Sequence, residues 1–518
     1  MNLAQLIRIL DIPFEIAADF SSHNLAEPIA SIHYNSKETR PGGLFVAIKG
    51  FKADGHDFIT EAVQNGASVI VAQKPATTHV PVLVVENTRK ALATIAAEFF
   101  GHPAHSLQLV GITGTSGKTT VTYLLENIFF AAGFRCGVIG TINYRFAERV
   151  YPNPVTTPES LDLQHILAKM RDADVSHVIM EVSSHALDLH RVDQCKFDVG
   201  VFTNLTQDHL DYHQNMESYW ECKKRLFYNH LKPFDKNKIK AQAVINCDNN
   251  YGLNLFNEFT HPRFSTGRVE NATIQAIRPQ ISQTGIRVNI ETPMGSMEVT
   301  SPLVGAHNLE NLLSAIGAAV AMGIGLDVIK KGIEGLRGVP GRLESVPNNK
   351  NRYIYVDYAH KPDALSNVLN ALRPLLFGRL ICVMGCGGDR DKTKRPIMGE
   401  IAGRLADLII ITSDNPRNES PEEIIGQIAV GVRKSSAHSF TAEEVLSGFN
   451  EKGFVIEPDR KKAIHLAFAT SNPFDTILIA GKGHENYQIL GTKTVPFDDV
   501  VEARSALESE RANQWLKN

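Results

Sequence analysis

The chain of 518 residues is marked first by what it has little of. No apolar run is long enough to span a bilayer: the longest weakly polar stretch, LLSAIGAAVAMGIGL, is shorter than the ~20 residues required and is rich in small residues. It reads as a packed core helix, and no membrane insertion is expected. No long basic run occurs, and a formal net charge of −3 gives no reason to expect a nucleic-acid partner. Cysteine is scarce and scattered, at positions 136, 195, 222, 247, 382 and 386. The close pair in CVMGC lacks a matching second pair, which argues against a zinc site and for small buried residues in a reducing, cytoplasmic setting. A signal peptide is not expected either. The first residues, MNLAQLIRILDIPFEIAADF, carry Arg8, Asp11 and Glu15 within an apolar pattern and read as an amphipathic helix.

What is present is alternation of apolar strands with helical patterns, over a length that suggests about three domains. Residues 1–105 hold short buried strands in GGLFVAIKG, ASVIVAQ and PVLVVEN, with helices in HDFITEAVQNG and TRKALATIAAEFFG. Residues 106–337 run through LQLVGITG, CGVIGTI, HVIMEVSS, DVGVFTN and AQAVIN. Strands spaced by helices predict a mainly parallel sheet covered on both faces. GVPGR marks a boundary, and residues 338–518 repeat the alternation in RYIYVDYAH, RLICVMGCGGDR, DLIIITSDNPR and TILIAGKGHE. The fold class is α/β: a central domain with a P-loop-type sheet, a Rossmann-like C-terminal domain and a small N-terminal domain. In open α/β sheets ligands sit beyond the carboxyl ends of the strands. If the last four strands are parallel, one rim presents Asp357, His360, Arg390, Asp414, Arg417, Gly481 and Glu485.

The sharpest local signal is GITGTSGKTT, between a strand and a helical pattern. Glycines let backbone N–H groups close around phosphate, Lys118 neutralises it, and the helix N-terminus adds its dipole. Thr119 is placed to ligate Mg²⁺. The usual G-x-x-x-x-G-K-[ST] pattern is not met, because Ile112 stands at its first glycine; the form present is GxxGTxGKTT. Glu181 ends one apolar strand, and His209 follows another in TNLTQDHLDYH. The spacing of His209 and His213 also invites a zinc reading, but HLDYH lacks the Glu of a metalloprotease helix. With a phosphate loop nearby, an oxygen-rich magnesium site is the stronger expectation.

Together GTSGKTT, EVSSHALDLHRV, TNLTQDHLDYH, GAHNLENLLSAIGAA, the Arg of PGR and VDYAHKPDAL closely resemble the Mur ligase family, over almost the whole chain. The resemblance implies a UDP-substrate-binding N-terminal domain, a central ATPase domain and a C-terminal amino-acid-binding domain, expected as a monomer. It implies that Gly114, Thr115, Ser116, Gly117, Lys118, Thr119, Thr120, Asn308, Arg342 and Asp357 attend to ATP. Tyr34, Ser36, Phe51, Lys52, Ala53, Thr156, Thr157, Ser183 and Arg191 would hold the UDP-linked substrate. Thr119, Glu181 and His209 would bind Mg²⁺ with Lys223, which matches a family lysine carbamylated by carbon dioxide. Read from the residues alone, Lys223 and Lys224 are a solvated helix face. Lys118, Glu181, His209, Lys223 and Arg342 would form the catalytic set.

Within the family, NSKETRPGGLFVAIKGFKADGHDFI, GCGGDRDKTKRP, DNPR and AGKGHENYQ look like the members that add meso-diaminopimelate to UDP-MurNAc-dipeptide at the expense of ATP. That resemblance assigns Arg390, Asp414, Asn415, Pro416, Arg417, Gly481 and Glu485 to the amino acid. SDNPRNES poses the question most directly. A proline turn accounts for Asp414, Asn415 and Pro416. It does not account for Arg417, a fork of donors suited to a carboxylate. Diaminopimelate differs from lysine by a distal carboxylate, and a cation at Arg417 would discriminate them. Addition of lysine, or a nucleotide-dependent binding module without ligase activity, are the rival readings.

Overall fold

The computed structural model describes residues 1–10, 14–16, 26–51, 53–435 and 438–509. The chain divides into two compact units, one of residues 1–275, 291–296 and 310–332, the other of residues 276–290, 297–309 and 333–518.

The first unit carries two sheets. One comprises β1 (Phe14–Ile16), β2 (Ser31–His33), β3 (Gly43–Val46), β4 (Ala67–Ala72) and β5 (Val82–Val85), in the order β1-β5-β4-β3-β2. Its pairs are parallel except β1 with β5. Alternate residues serve two cores: Leu44, Val46, Val69, Val71 and Leu83 meet Leu3, Leu6 and Leu92, whereas Phe45, Ala47, Ile70 and Ala72 meet Ile59 and Ala62. The N-terminal helix is shorter than its apolar pattern predicts. It is confined to Leu3–Ile9, and Phe14–Ile16 is a strand. Pro13 in the sequence explains the stop, since proline disfavours helix in the residue before it and lacks an N–H.

The next strands are β6 (Gln108–Thr113), β7 (Cys136–Ile139), β8 (Asn143–Phe146), β9 (Arg149–Pro152), β10 (His177–Glu181), β11 (Val199–Phe202), β12 (Ala243–Asn246) and β13 (Arg263–Gly267); β14 (Ile274–Ser282), β15 (Gly285–Thr292) and β16 (Gly295–Ser301) follow, with most of their residues in the second unit. The order β13-β12-β11-β6-β10-β7 is parallel throughout, and β8 and β9 extend it as antiparallel ribbons. The central strand β6 is buried along Leu109–Thr113, as expected of a strand covered on both faces. Of the run read as a core helix, Leu312, Leu313, Ala315, Ile316, Ala318 and Ala319 are fully buried within the helix Ala306–Ala321.

The second unit is built on β17 (Glu344–Ser345), β18 (Tyr353–Asp357), β19 (Leu380–Met384), β20 (Leu408–Ile411), β21 (His438–Ser439), β22 (Gly453–Ile456) and β23 (Thr476–Ala480), ordered β17-β18-β23-β19-β20-β22-β21. Only the edge strand β17 is antiparallel. The period of two sorts its side chains. Tyr355, Cys382, Met384, Ile409, Ile411 and Leu478 pack with Leu369, Met398 and Ile428, while Ile354, Val356, Ile381, Val383, Ile410 and Ile479 pack with Ile464, Ala467 and Ala503. Because β18, β23, β19 and β20 run the same way, their carboxyl ends form the single rim that the sequence predicts. All six cysteines are free and buried.

Candidate active site

In the first unit, β6 delivers the chain into Gly114–Gly117, and the helix Lys118–Ala131 begins at once. Ile112 lies inside the strand, paired with Glu181 on β10, so the turn starts at Gly114. That is the structural reason the longer glycine pattern is not met. Gly117 has φ +89°, and a Cβ there would sit 2.2 Å from Asn311 Oδ1, so any other residue would be strained and would displace Asn311. Lys118 Nζ donates to the carbonyls of Gly114 (2.8 Å) and Thr115 (2.9 Å), curling over its own loop.

The loop is braced from β11. Asn204 accepts the Thr115 N–H on its carbonyl (2.9 Å) and the Ser116 N–H on its Oδ1 (2.9 Å), and Thr203 Oγ1 donates to Ser116 O (2.7 Å). Asn204 stands in the quoted TNLTQDH, but sequence reasoning passed over it; an Asn directly after an apolar strand was the available signal. Thr119 and Thr120 are buried at the start of the helix, and Thr113 Oγ1 is a buried polar atom without a hydrogen-bond partner.

Lys223 contradicts the reading as a solvated helix face. It is 1% exposed on the helix Met216–Asn229, with Nζ donating to Gly114 O at 2.8 Å and lying 4.5 Å above the Tyr219 ring. The helix is amphipathic, and position 223 falls on its inward stripe with Tyr219, Cys222 and Leu226. Burial and the charge of Lys118 push its amine pKa well below the ordinary lysine value. Lys224 is the outer partner, paired with Glu221.

Glu181 ends β10 and is buried; its carboxylate accepts the Thr141 N–H (3.0 Å) and hydroxyl (2.9 Å). His209 adopts a left-handed backbone (φ +55°), with its ring edge-on to His185 at 5.0 Å. His213 Nε2 lies 2.9 Å from Ser184 Oγ. Among the described residues no group of three or more His, Cys, Asp or Glu side chains is arranged to hold a metal.

The residues expected at the UDP-linked substrate cluster on the same unit. Tyr34 donates to Asp162 (2.6 Å), and Ser36 donates to Glu61. Phe51 is 70% exposed, its ring edge-on to Tyr212 at 5.7 Å and to His185 at 6.5 Å. Ala53 is exposed, and Lys52 lies outside the described residues. Thr156 shares a hydrogen bond with Thr141 (3.1 Å). Thr157 donates to Glu181 O (2.8 Å) and accepts from Ser183 N (3.1 Å), and Ser183 caps the helix Ser184–Asp188. Arg191 donates to Thr157 O (3.0 Å) and pairs with Glu159, which also takes Arg89 (2.6 Å). This Arg89–Glu159–Arg191 clamp had no sequence signal, being assembled from three elements.

In the second unit, Asn308 donates to Val304 O (2.8 Å) and is buried. Asp357, at the end of β18, accepts the Leu343 N–H at 2.7 Å. Burial raises its pKa to about 6 against the lowering effect of Arg342. The Arg342 guanidinium lies 5.2 Å from the Tyr358 ring centre. Burial also holds His360 near a pKa of about 4.

Farther along the same rim, Asn415 Nδ2 donates to Glu485 (2.9 Å), and its Oδ1 accepts the Ile489 N–H (3.0 Å). Gln488 donates to Asp414 O (2.6 Å). Gly481 has φ +120°, and a Cβ would stand 3.1 Å from Asp414 Oδ2. Arg417 follows Pro416 with φ +53°, bridges backbone to backbone with Leu490, and donates through Nη1 to Gly388 O at 2.8 Å. Among the described residues it makes no ion pair with a carboxylate. Arg390 is exposed on the facing GCGGDR loop, its Nη1 on Asp389 O (3.2 Å). Lys482 was missed altogether, although a lysine between two glycines after an apolar strand was a signal.

Parallel α/β sheets, a phosphate loop and a strand-end rim of paired charges define a nucleotide-using α/β enzyme. Three family models match: the Mur ligase family catalytic domain over residues 28–100, the Mur ligase middle domain over 112–319 and the Mur ligase glutamate ligase domain over 341–483. The chain is 46% identical over 510 residues to a protein of Geobacter metallireducens, covering 98% of each, and 45% identical to one of Geobacter sulfurreducens, covering 99% of this chain and all of the other. Both are named UDP-N-acetylmuramoyl-L-alanyl-D-glutamate–2,6-diaminopimelate ligase. A solved structure bearing the same name superposes with a TM-score of 0.69 at 29% identity, covering 99% of both chains. MurF ligase of Thermotoga maritima, solved with ADP, shares the fold at a TM-score of 0.59 and 22% identity, covering 93% of this chain and 98% of that one. The chain belongs to the Mur ligase family of ATP-dependent amide ligases.

Proposed function

We propose that this ligase adds meso-diaminopimelate to the D-glutamate γ-carboxylate of UDP-MurNAc-L-Ala-D-Glu, with ATP converted to ADP and phosphate, in peptidoglycan precursor synthesis. The observation that carries the proposal is 46% and 45% identity, over nearly the full length, to ligases named for that addition. The three segments 1–105, 106–337 and 338–518 are assigned to the UDP-substrate, ATP and the amino acid.

A γ-carboxylate oxygen attacks the γ-phosphorus of ATP, the bond to the ADP oxygen breaks, and an acyl phosphate forms. The diaminopimelate amine then attacks the acyl carbon, phosphate leaves with its electron pair, and the amine proton passes to solvent or a base. Phosphoryl transfer of this kind depends on positioning and charge neutralisation. Lys118 and the N–H groups of Gly114–Thr120 serve the phosphates; Asn308, Arg342 and Asp357 also serve ATP. Tyr34, Ser36, Phe51, Lys52, Ala53, Thr156, Thr157, Ser183 and Arg191 hold the UDP-linked substrate. Thr119, Glu181, His209 and Lys223 as its carbamate would hold Mg²⁺, which when bound neutralises phosphate charge. Burial and the neighbouring Lys118 charge lower the pKa of the Lys223 amine, which supports that modification because only the free base reacts with carbon dioxide. Asp414, Asn415, Pro416, Gly481 and Glu485 receive the amino acid, with Arg390 and Arg417 meeting its carboxylates.

The test is incubation with UDP-MurNAc-dipeptide, ATP and each of meso-diaminopimelate, L-lysine and D-glutamate. ADP release with a UDP-peptide heavier by one diaminopimelate residue is expected. Preferred addition of lysine, or ADP release without a heavier product, would overturn the reading.

A further inference from the structure

Lys482 is a long cation with no exposed side chain, on a turn where two glycines would suffice. Its Nζ lies 3.4 Å from Asp414 Oδ1, 3.1 Å from Asn415 Oδ1 and 3.3 Å from Glu485 Oε2. Three side chains from two separate loops thus converge on one ammonium, and its Nζ also lies 5.6 Å from the Tyr487 ring centre. The Asn415 amide is oriented by it. With Oδ1 taken by Lys482 and the Ile489 N–H, Nδ2 must point to Glu485. Flanking Gly481 and Gly483, at φ +120° and +54°, let the backbone pass under the cluster: a Cβ on Gly483 would strike Tyr358 at 2.6 Å.

We infer that Lys482 is a positioning residue that sets the net charge and geometry of the amino-acid pocket, and so its preference for a distal end bearing both ammonium and carboxylate. This rests on the proposed amino-acid site. Asp414 and Glu485 bring two carboxylates that the single ammonium of a substrate's distal end cannot balance; Lys482 offsets one of them. The remaining negative charge matches one ammonium, and Arg417 matches the carboxylate beside it. Removing a buried partner leaves its counter-charge uncompensated, so Asp414 and Glu485 would repel the incoming carboxylate and lose their aim. A lysine side chain, which brings an ammonium without a carboxylate, would suffer less.

The experiment compares the wild-type enzyme with Lys482→Met and Lys482→Gln, measuring kcat and the KM of each of the three substrates, together with thermal melting. The expected result is a KM for meso-diaminopimelate raised at least tenfold and a diaminopimelate-to-lysine preference lowered by a similar factor. The KM values of ATP and the UDP-substrate should stay within twofold, and kcat at saturation within threefold. An unchanged KM and preference would overturn the inference. So would all three KM values rising together, or neither variant folding, since Lys482 would then be a core residue. If the wild type turns over another amino acid, the proposed substrate fails while the same comparison, made with that amino acid, still decides the role of Lys482. If it turns over none, both fall.

Discussion

Lys118 and Lys223 aim their Nζ atoms at one acceptor, the carbonyl of Gly114, each at 2.8 Å. Two ammonium groups cannot share one carbonyl in a buried place without cost, and the fully buried one gives up its proton more readily. In the proposed reading the pair differentiates: Lys118, partly exposed, would be the phosphate cation, and Lys223 the amine that takes up carbon dioxide.

Substituting Lys118 by Ala removes the charge that would offset the γ-phosphate. ADP formation should fall by about 10²–10³, the usual cost of losing one preorganised transition-state contact. A coupled ADP assay reads this directly, and turnover within threefold of wild type would refute the assignment.

Lys223 should respond to carbon dioxide. Its amine adds to the carbon, loses a proton and becomes a carbamate, so activity should drop in CO₂-depleted buffer and return with bicarbonate. Lys223→Ala should be inactive and indifferent to bicarbonate. A crystal with nucleotide bound and no density beyond Nζ would count against the modification.

Asp357 gives a pH signature. Its folded pKa of about 6 exceeds the ordinary 3.8, so the folded protein holds this proton where the unfolded chain has lost it. Its contribution to stability is therefore greatest below pH 3.8 and is lost as the pH rises through about 6. If the ionised form serves ATP, kcat/KM for ATP should fall as the pH drops below about 6. Asp357→Asn should lack that limb, and an identical acid limb in the variant would exclude Asp357 as its source.

Arg417→Ala should reduce kcat/KM for meso-diaminopimelate by about 10²-fold or more, because a carboxylate would lose its charged partner. Lysine turnover, if measurable, should barely change. Equal losses for both amino acids would assign Arg417 to the loop rather than to the substrate.

Arg460 and Asp499 form a bidentate pair at 2.8 and 2.7 Å, and neither side chain is exposed. Arg460→Met should destabilise the second unit by about 3–5 kcal/mol by stranding the carboxylate. At about 2–4 °C per kcal/mol, the melting temperature should drop by roughly 6–20 °C. Arg460→Met with Asp499→Leu should recover most of it, and a single variant that melts like wild type would show the pair to be dispensable.

Much of the molecule is legible without coordinates. The runs around Leu109, Val199, Ile410 and Ile477 are continuous and apolar because both faces of a parallel sheet are covered, and such runs announce themselves. Gly117, Lys118 and Thr119 are legible for a different reason: a phosphate turn needs contiguous residues, so its whole chemistry lies in one short string. Arg417 stood out because a proline turn did not require it.

Residues whose meaning comes from other loops were not legible in this way. Burial of Lys223 depends on which stripe of its helix meets the sheet, and paired lysines in a sequence look alike. Asn204 braces a loop 88 positions earlier, and Lys482 gathers Asp414 and Asn415, 68 and 67 positions away, with Glu485 three residues on. The sequence alone determined the main buried strands and the phosphate turn, because local pattern and contiguous motif dictate them; the alternation with helices gave an expectation of their common direction that the strand pairing bears out. Tertiary structure decided which charges are buried together, because desolvation and pairing arise only when distant segments close around the same few atoms.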